Sequence, residues 1–502
     1  MMPKAIPMLD LMFFLAETKR SPKHVAGLML FDLPDAAHEG YVAELAAAYR
    51  KGTPVPPFNY VPRFSLLGMP RWLEAEAVDM KYHVRHTALP AGATHHDLLD
   101  LVGELHTQLL DRQRPCFRAY FIEGLPNRQF ALYLKIHHAM VDGASGVARL
   151  VGSLDERPVP GTMRPFYAVR LDGATVPGSH ARGDALATLA SLAMKQARAL
   201  KELYASFVRK SQGAATVGPG SAPFTAPRTP MNEPMQAGRT LATLSLPIAE
   251  MRAVGKAFGG TLNDVAVTIV DAALQRYLAE LGCAPTEPLL AMCPVSLREA
   301  GDQEATIKVS AVFVPLGKPK APIGHRMQAV MRSIGSAKAE LSGMGKDAAI
   351  LYAVLAFVLG ELADTAHADS IARPLANFVL SNVPGPRTDL YLGGARLREV
   401  YPISAMGAGM GLNVTLVSYS TAVNFGFVAN GAAMPDLANL ARHTAAAFDS
   451  LRRAAARRRA SAQKAAAAAA TPPGSPRSKT SRVQTSPRGR TSPRTRTSPR
   501  AR

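Results

Sequence analysis

Two adjacent histidines, His137 and His138, are followed four residues later by Asp142 and Gly143 in the stretch LYLKIHHAMVDGASG, Leu132 to Gly146. Imidazole has a pKa of about 6.5, so at neutral pH a ring nitrogen can take a proton from a hydroxyl as that hydroxyl attacks an electrophile. Asp142 would either orient a histidine by accepting from its ring N–H or hold the loop through a salt bridge, and the sequence leaves both open. With 13 His and 39 Gly in 502 residues, the pattern HHxxxDG arises by chance in about one such chain in a thousand, which favours function over accident. The competing reading is a pair of buried, hydrogen-bonded core histidines beside a turn glycine.

A catalytic base needs an element that aims it. The run FALYLKI reads as a strand ending at the histidines, and DGASG reads as a turn into a helix, an arrangement that projects an imidazole from a strand end into a cleft. Around it, helical patterns (YVAELAAAYRK, HHDLLDLVGELHTQLLDRQ) alternate with strands (HVAGLMLF, CFRAYFIEGL, QFALYLKIHH). The layout is α/β, with a first domain expected over residues 1–180. A long amphipathic helix, Ala185 to Lys210, and a Pro/Gly-rich crossover, Gly213 to Pro234, make up a linker over 181–237. A second domain over 238–451 again alternates helices (TLNDVAVTIVDAALQRYLAEL, RMQAVMRSIGSAKAEL) with strands (EPLLAMCPVSL, IKVSAVFVPL, GLNVTLVSYS, AVNFGFVAN). Two such halves suggest a cleft between them.

The net charge of +20 is concentrated at one end. Of 58 Lys and Arg, 15 lie in Leu451–Arg502 and none of the 38 acidic residues does, so the body carries 43 basic against 38 acidic side chains. Residues 452–502 turn Ala-rich and then repeat Thr-Ser-Pro-Arg, with nothing apolar to bury, and are expected to be a disordered tail whose charge suits anionic lipid headgroups or nucleic acid. Cys116, Cys283 and Cys293 show neither disulfide nor zinc spacing, and no metal is expected. Asp10 interrupts the apolar N-terminal run, which makes a poor signal peptide and predicts a cytosolic start. The longest apolar run, Ala348 to Gly360, is shorter than the roughly 20 residues a spanning helix needs. It reads as a buried helix, the alternative being a helix that touches a lipid surface.

HHAMVDG resembles the HHxxxDG motif of the CoA-dependent acyltransferase superfamily. With MLDLMFFLAETKRSPKHVAGLMLF, KYHVRHTALP, LLDRQRPCFRAYFIEGL, TLNDVAVTIVDAALQRYL, PVSLR, SNVPGPRTDLYLGGARLREVYPIS and GLNVTLVSYS, all in order between about residues 5 and 450, the chain resembles the bacterial wax ester synthase/diacylglycerol acyltransferase family. The resemblance implies two chloramphenicol-acetyltransferase-like domains joined by a crossover, with an interdomain channel. It implies transfer of a fatty acyl group from acyl-CoA, a substrate and not a cofactor, to a long-chain alcohol or diacylglycerol. It makes His138 the general base, supported by His137, with Asp142 holding the loop and Gly143 allowing the turn. Asn263 and Asp264 match the family's Asn-Asp motif, where a helix cap competes with a direct site role. Ser381 and Asn382 match Ser-Asn-Val-Pro-Gly-Pro, where a rigid turn competes with a substrate contact.

Three departures put acceptor preference in question. Pro115, Cys116 and Phe117 stand where the family usually has Pro-Leu-Trp, ATIKVSAVFVPL stands where a Gly-Asn pair usually occurs, and IPML precedes Asp10 where Ser-Pro is typical. The apolar substrates predict a cytoplasmic protein peripherally associated with the inner membrane or lipid droplets. The alternatives are an enzyme of the same fold using another hydroxyl acceptor, and a non-catalytic lipid-body protein.

Overall fold

The computed structural model describes residues 4–65, 68–161, 163–171, 223–296, 309–365, 373–407 and 409–470. Residues 1–458 form one compact unit and residues 459–502 a second. In the first, a small sheet joins β1 (Lys4–Ala5), β3 (Tyr60–Ser65) and β4 (Gly68–Glu74). A six-stranded sheet holds β2 (His24–Asp32), β5 (Val84–Ala88), β6 (Phe117–Leu125), β7 (Gln129–His137), β12 (Tyr391–Leu392) and β13 (Ala395–Ile403), in the order β12-β13-β2-β7-β6-β5. A second holds β8 (Arg239–Pro247), β9 (Leu290–Ser296), β10 (Val309–Pro315), β11 (Phe378–Val383), β14 (Leu412–Tyr419) and β15 (Ala422–Asn430), in the order β10-β9-β11-β14-β15-β8. The expected strands in both halves are present. β6 and β7 read as nearly continuous apolar runs because both faces are covered, leaving Phe121, Phe130 and Tyr133 without exposed surface.

The second half does not close on itself. β13 follows β11 in the chain yet pairs antiparallel with β2, placing Tyr401 opposite Leu28 and Ile403 opposite Ala26, and so completes the first sheet. Leu390, Leu392, Leu397 and Val400 thereby enter the core of the N-terminal half. The crossing is close enough that a Cβ on Gly426 of β15 would overlap the carbonyl oxygen of Pro402. Gly426→Ala is therefore expected to cost about 1–3 kcal/mol, read as a fall in the denaturation midpoint, because a backbone carbonyl cannot swing aside as a flexible side chain can.

The helices are α1 (Met8–Ala16), α2 (Tyr41–Tyr49), α3 (Met80–His83), α4 (His95–Thr107), α5 (Gly143–Gly152), α6 (Ile248–Phe258), α7 (Leu262–Glu280), α8 (Ile323–Ser342), α9 (Lys346–Thr365) and α10 (Leu437–Ala470). α4 stops before the expected end at Gln113 because the Lys135 ammonium on β7 takes the carbonyls of Leu105 and Gln108, closing the helix C-terminus. Among the described residues no single helix is long and apolar enough to cross a membrane. The bent pair α6 and α7 owes its apolar character to α7 being core, with Val265, Ala266, Ile269 and Val270 fully buried. The apolar run from Ala348 lies in α9, which packs on β10 and α1 with Ala349 and Ala356 buried.

Two expectations change. Ala and Arg are strong helix formers, so α10 runs on through Ala470 and the expected disorder is corrected for residues 452–470; residues 471–502 lie outside the described residues. The long helix expected over Ala185–Lys210 and the first part of the crossover also lie outside them. The rest of the crossover is pinned by Asn232, whose amide donates to the carbonyls of Ala376 at 2.9 Å and Gly409 at 2.8 Å.

Candidate active site

Each histidine is held by a neighbouring segment. The His137 N–H donates to the Cys116 carbonyl, just before β6, and the His138 N–H to the Lys23 carbonyl, just before β2, both at 2.9 Å. Asp142 then caps α5: its carboxylate accepts the Ser145 N–H at 2.8 Å, and its own N–H donates to Ser145 Oγ at 3.1 Å. The aspartate thus holds the loop as a helix cap, a role left out of the two weighed from sequence. Gly143 is the first residue of α5, and a Cβ there would lie 3.2 Å from Cγ2 of Val383, a tight contact. It is not among the residues with a left-handed backbone.

His137 is buried and aimed away from solvent. The Ala139 N–H donates to its Nδ1 at 3.2 Å, which places the ring proton on Nε2, and Nε2 faces Glu17 Oε1 at 3.6 Å. Phe14 stacks on the ring at 4.0 Å between centroids. Arg112 clasps the other carboxylate oxygen of Glu17 at 2.9 and 3.2 Å and donates to the Phe14 carbonyl at 2.8 Å. Burial pushes the Glu17 carboxyl upward, but His137, the Lys23 N–H and Arg112 outweigh it and bring the pKa to about 2. A folded-state pKa below the ordinary 4.5 stabilises the fold above that pH and the benefit disappears as pH falls towards 2. Glu17→Gln is therefore expected to cost roughly 3 kcal/mol at pH 7 and less than half of that at pH 3, measured as the midpoint difference from wild type at the two values.

His138 is partly buried. Phe13 stacks on it at 4.2 Å with an interplanar angle of 5°. Its Nδ1 is buried, with no hydrogen bond of ordinary geometry reaching it. Burial holds the imidazole below its ordinary pKa; its own carbonyl and Asp142 oppose this, while His137 and Lys23 reinforce it. On α1, burial and the Asp142 charge raise Asp10 to about 7.

The other candidates separate. Val383 of β11 abuts Gly143, and Ser381 and Asn382 precede it on that strand, Ser381 half-buried and Asn382 exposed. Asp264 is used as a cap, accepting from the N–H and hydroxyl of Thr261 at 2.7 Å, and Asn263 lies beside it at the start of α7. Pro115 and Phe117 lie in the N-terminal core, where Phe117 stacks on His83 at 4.3 Å. Sequence reasoning missed Phe13, Phe14, Glu17, Lys23 and Arg112. Arg112 is 95 residues from Glu17 and no local spacing marks the pair.

Cys116 is fully buried, and burial raises its thiol well above the ordinary value, with Glu17 adding to the shift. It has no thiolate to offer, so Cys116→Ala is expected to keep turnover within about threefold, and a thiol reagent to label exposed Cys283 first by mass spectrometry. Among the described residues no group of three His, Cys, Asp or Glu is placed to hold a metal ion.

Residues 7–266 match the wax ester synthase/diacylglycerol acyltransferase catalytic domain, and residues 308–452 match the C-terminal domain of the same family. A putative diacylglycerol O-acyltransferase of Mycobacterium tuberculosis is 35% identical over 456 residues, 90% of this chain and 99% of that protein. The O-acyltransferase WSD of Acinetobacter baylyi is 31% identical over 440 residues, 87% of this chain and 94% of that protein. The wax ester synthase/diacylglycerol acyltransferase of Marinobacter aquaeolei superposes with a TM-score of 0.71 at 30% identity, covering 90% of this chain and 100% of that one. The starter condensation domain of rhizomide synthetase shares the fold at a TM-score of 0.53 and 16% identity, covering 90% of this chain and 94% of that one.

Proposed function

The chain belongs to the wax ester synthase/diacylglycerol acyltransferase family and is an O-acyltransferase, and from that premise we propose that His138 is the general base of the transfer. The observation that carries this is the asymmetry of the two histidines. His137 is fully buried, accepting the Ala139 N–H at Nδ1 and facing Glu17 with Nε2, whereas His138 is only partly buried beneath a stacked phenyl ring and its Nδ1 is the enclosed nitrogen, which leaves Nε2 for the acceptor. The acceptor hydroxyl gives its proton to Nε2 as its oxygen attacks the thioester carbonyl of acyl-CoA. Collapse of the tetrahedral intermediate expels CoA thiolate, which the imidazolium protonates. Burial favours the neutral ring, the form that can accept. His137 and its Glu17–Arg112 support hold the strand end that presents the base.

The acceptor is proposed to be a long-chain alcohol or diacylglycerol, reached by a channel between the halves. Such substrates place the enzyme at the cytoplasmic face of the inner membrane or at a lipid droplet. Leu15, 65% exposed, and Phe64, 45% exposed, with exposed Arg63 and Arg71, suit contact with such a surface, and the basic residues after Ser450 add attraction to anionic headgroups. Purified wild type and His138→Ala, each given labelled palmitoyl-CoA with hexadecanol or with diacylglycerol, test the reading through CoA release and ester formation. Ester from wild type alone supports it, and the better acceptor names the reaction. Equal rates from both proteins overturn the base, and no ester from either acceptor moves the reading to another hydroxyl.

A further inference from the structure

Lys23 ties the site to the second half of the chain. Its N–H donates to Glu17 Oε1 at 3.1 Å, its carbonyl accepts the His138 N–H at 2.9 Å, and its Nζ donates to Glu361 Oε1 on α9 at 2.6 Å. The lysine side chain is 1% exposed and that of Glu361 16%. The same helix sets Phe357 against Phe13, with ring centroids 5.5 Å apart, and Phe13 is the ring stacked on His138. The ammonium itself lies 5.8 Å from the Phe357 centroid. An aromatic and an ionic route from α9 therefore converge on His138.

Desolvation offsets most of what a buried ion pair gains, and an apolar pair of similar volume commonly stabilises a fold as well or better. A buried lysine joined to this loop points to a demand other than stability. We infer that Lys23 is a positioning residue for the acyl transfer, its bridge to Glu361 fixing the backbone that presents His138 to helix α9 of the second half. The inference rests on His138 being the base. The ammonium also disfavours a second positive charge on the ring, adding to burial and to His137. Among the described residues, the other charged groups facing this region are Asp142 on the loop, Asp10 on α1, Glu361 on α9, and Glu17 with Arg112 behind His137.

The test compares wild type, Lys23→Met and the double variant Lys23→Met/Glu361→Gln, which removes both charges of the bridge and so keeps the fold if the single variant does not. The His138 imidazole is titrated by NMR on histidine-labelled protein, assigned by difference from His138→Ala, and kcat and KM are measured with palmitoyl-CoA. The titration is expected to move up by about half a unit or more, the acid limb of the rate profile with it. The kcat is expected to fall about 10-fold with KM changed by less than about threefold. An unmoved titration, or an unchanged kcat, in a folded variant overturns the inference. Retained turnover in His138→Ala sinks the base reading by itself, and the titration then still decides whether Lys23 acts on that ring.

Discussion

His138→Ala is expected to lower ester formation by at least about 100-fold, the lower end of what a positioned general base contributes. The base acts only as the acceptor oxygen attacks, so kcat and kcat/KM should fall together while KM for acyl-CoA stays close to wild type. Wild type should also lose activity as pH falls through a value below the ordinary imidazole pKa of about 6.5, because burial favours the neutral ring and only that form accepts a proton. In the variant this acid limb should vanish from whatever turnover remains. A variant with wild-type kcat, or one that keeps the same limb, would falsify the assignment of His138.

The second large effect lies far from the chemistry. Asp271 on α7 and Arg326 on α8 meet at 2.6 Å with almost no exposed surface. Asp271 Oδ2 also accepts the Gly317 N–H at 2.9 Å, and Arg326 donates to the carbonyls of Gly317 at 3.1 Å and Lys318 at 3.0 Å. Asp271→Ala leaves a guanidinium buried without its counter-charge and should cost about 3–5 kcal/mol in denaturant unfolding. Asp271→Leu with Arg326→Met, which removes both charges, should recover most of that. If the single variant unfolds within about 1 kcal/mol of wild type, the pair is better hydrated than its burial implies. Such an outcome would leave catalysis untouched, since neither residue contacts the histidine loop.

Much of the site was legible because it is local. His137, His138, Asp142 and Gly143 fall within one strand end and one helix start, and period-2 and period-3.6 patterns place β2, β6, β7, α4 and α7 close to where they fold. Asp264 was legible as a cap for the same reason: a capping box closes over three residues. The nearness of Val383 to Gly143 was not legible, because the two lie 240 positions apart.

The sequence by itself determined the strand-turn-helix that carries the histidines, the alternation of α and β in both halves, and the family. Only the tertiary structure decided what surrounds each histidine. Glu17, Arg112, Phe13 and Phe14 close around the motif, and Lys23 reaches Glu361 across 338 residues. Periodicity records which face of an element is apolar. It does not record which distant element that face meets, and for the same reason β13 could be read as a strand but not as a member of the first sheet.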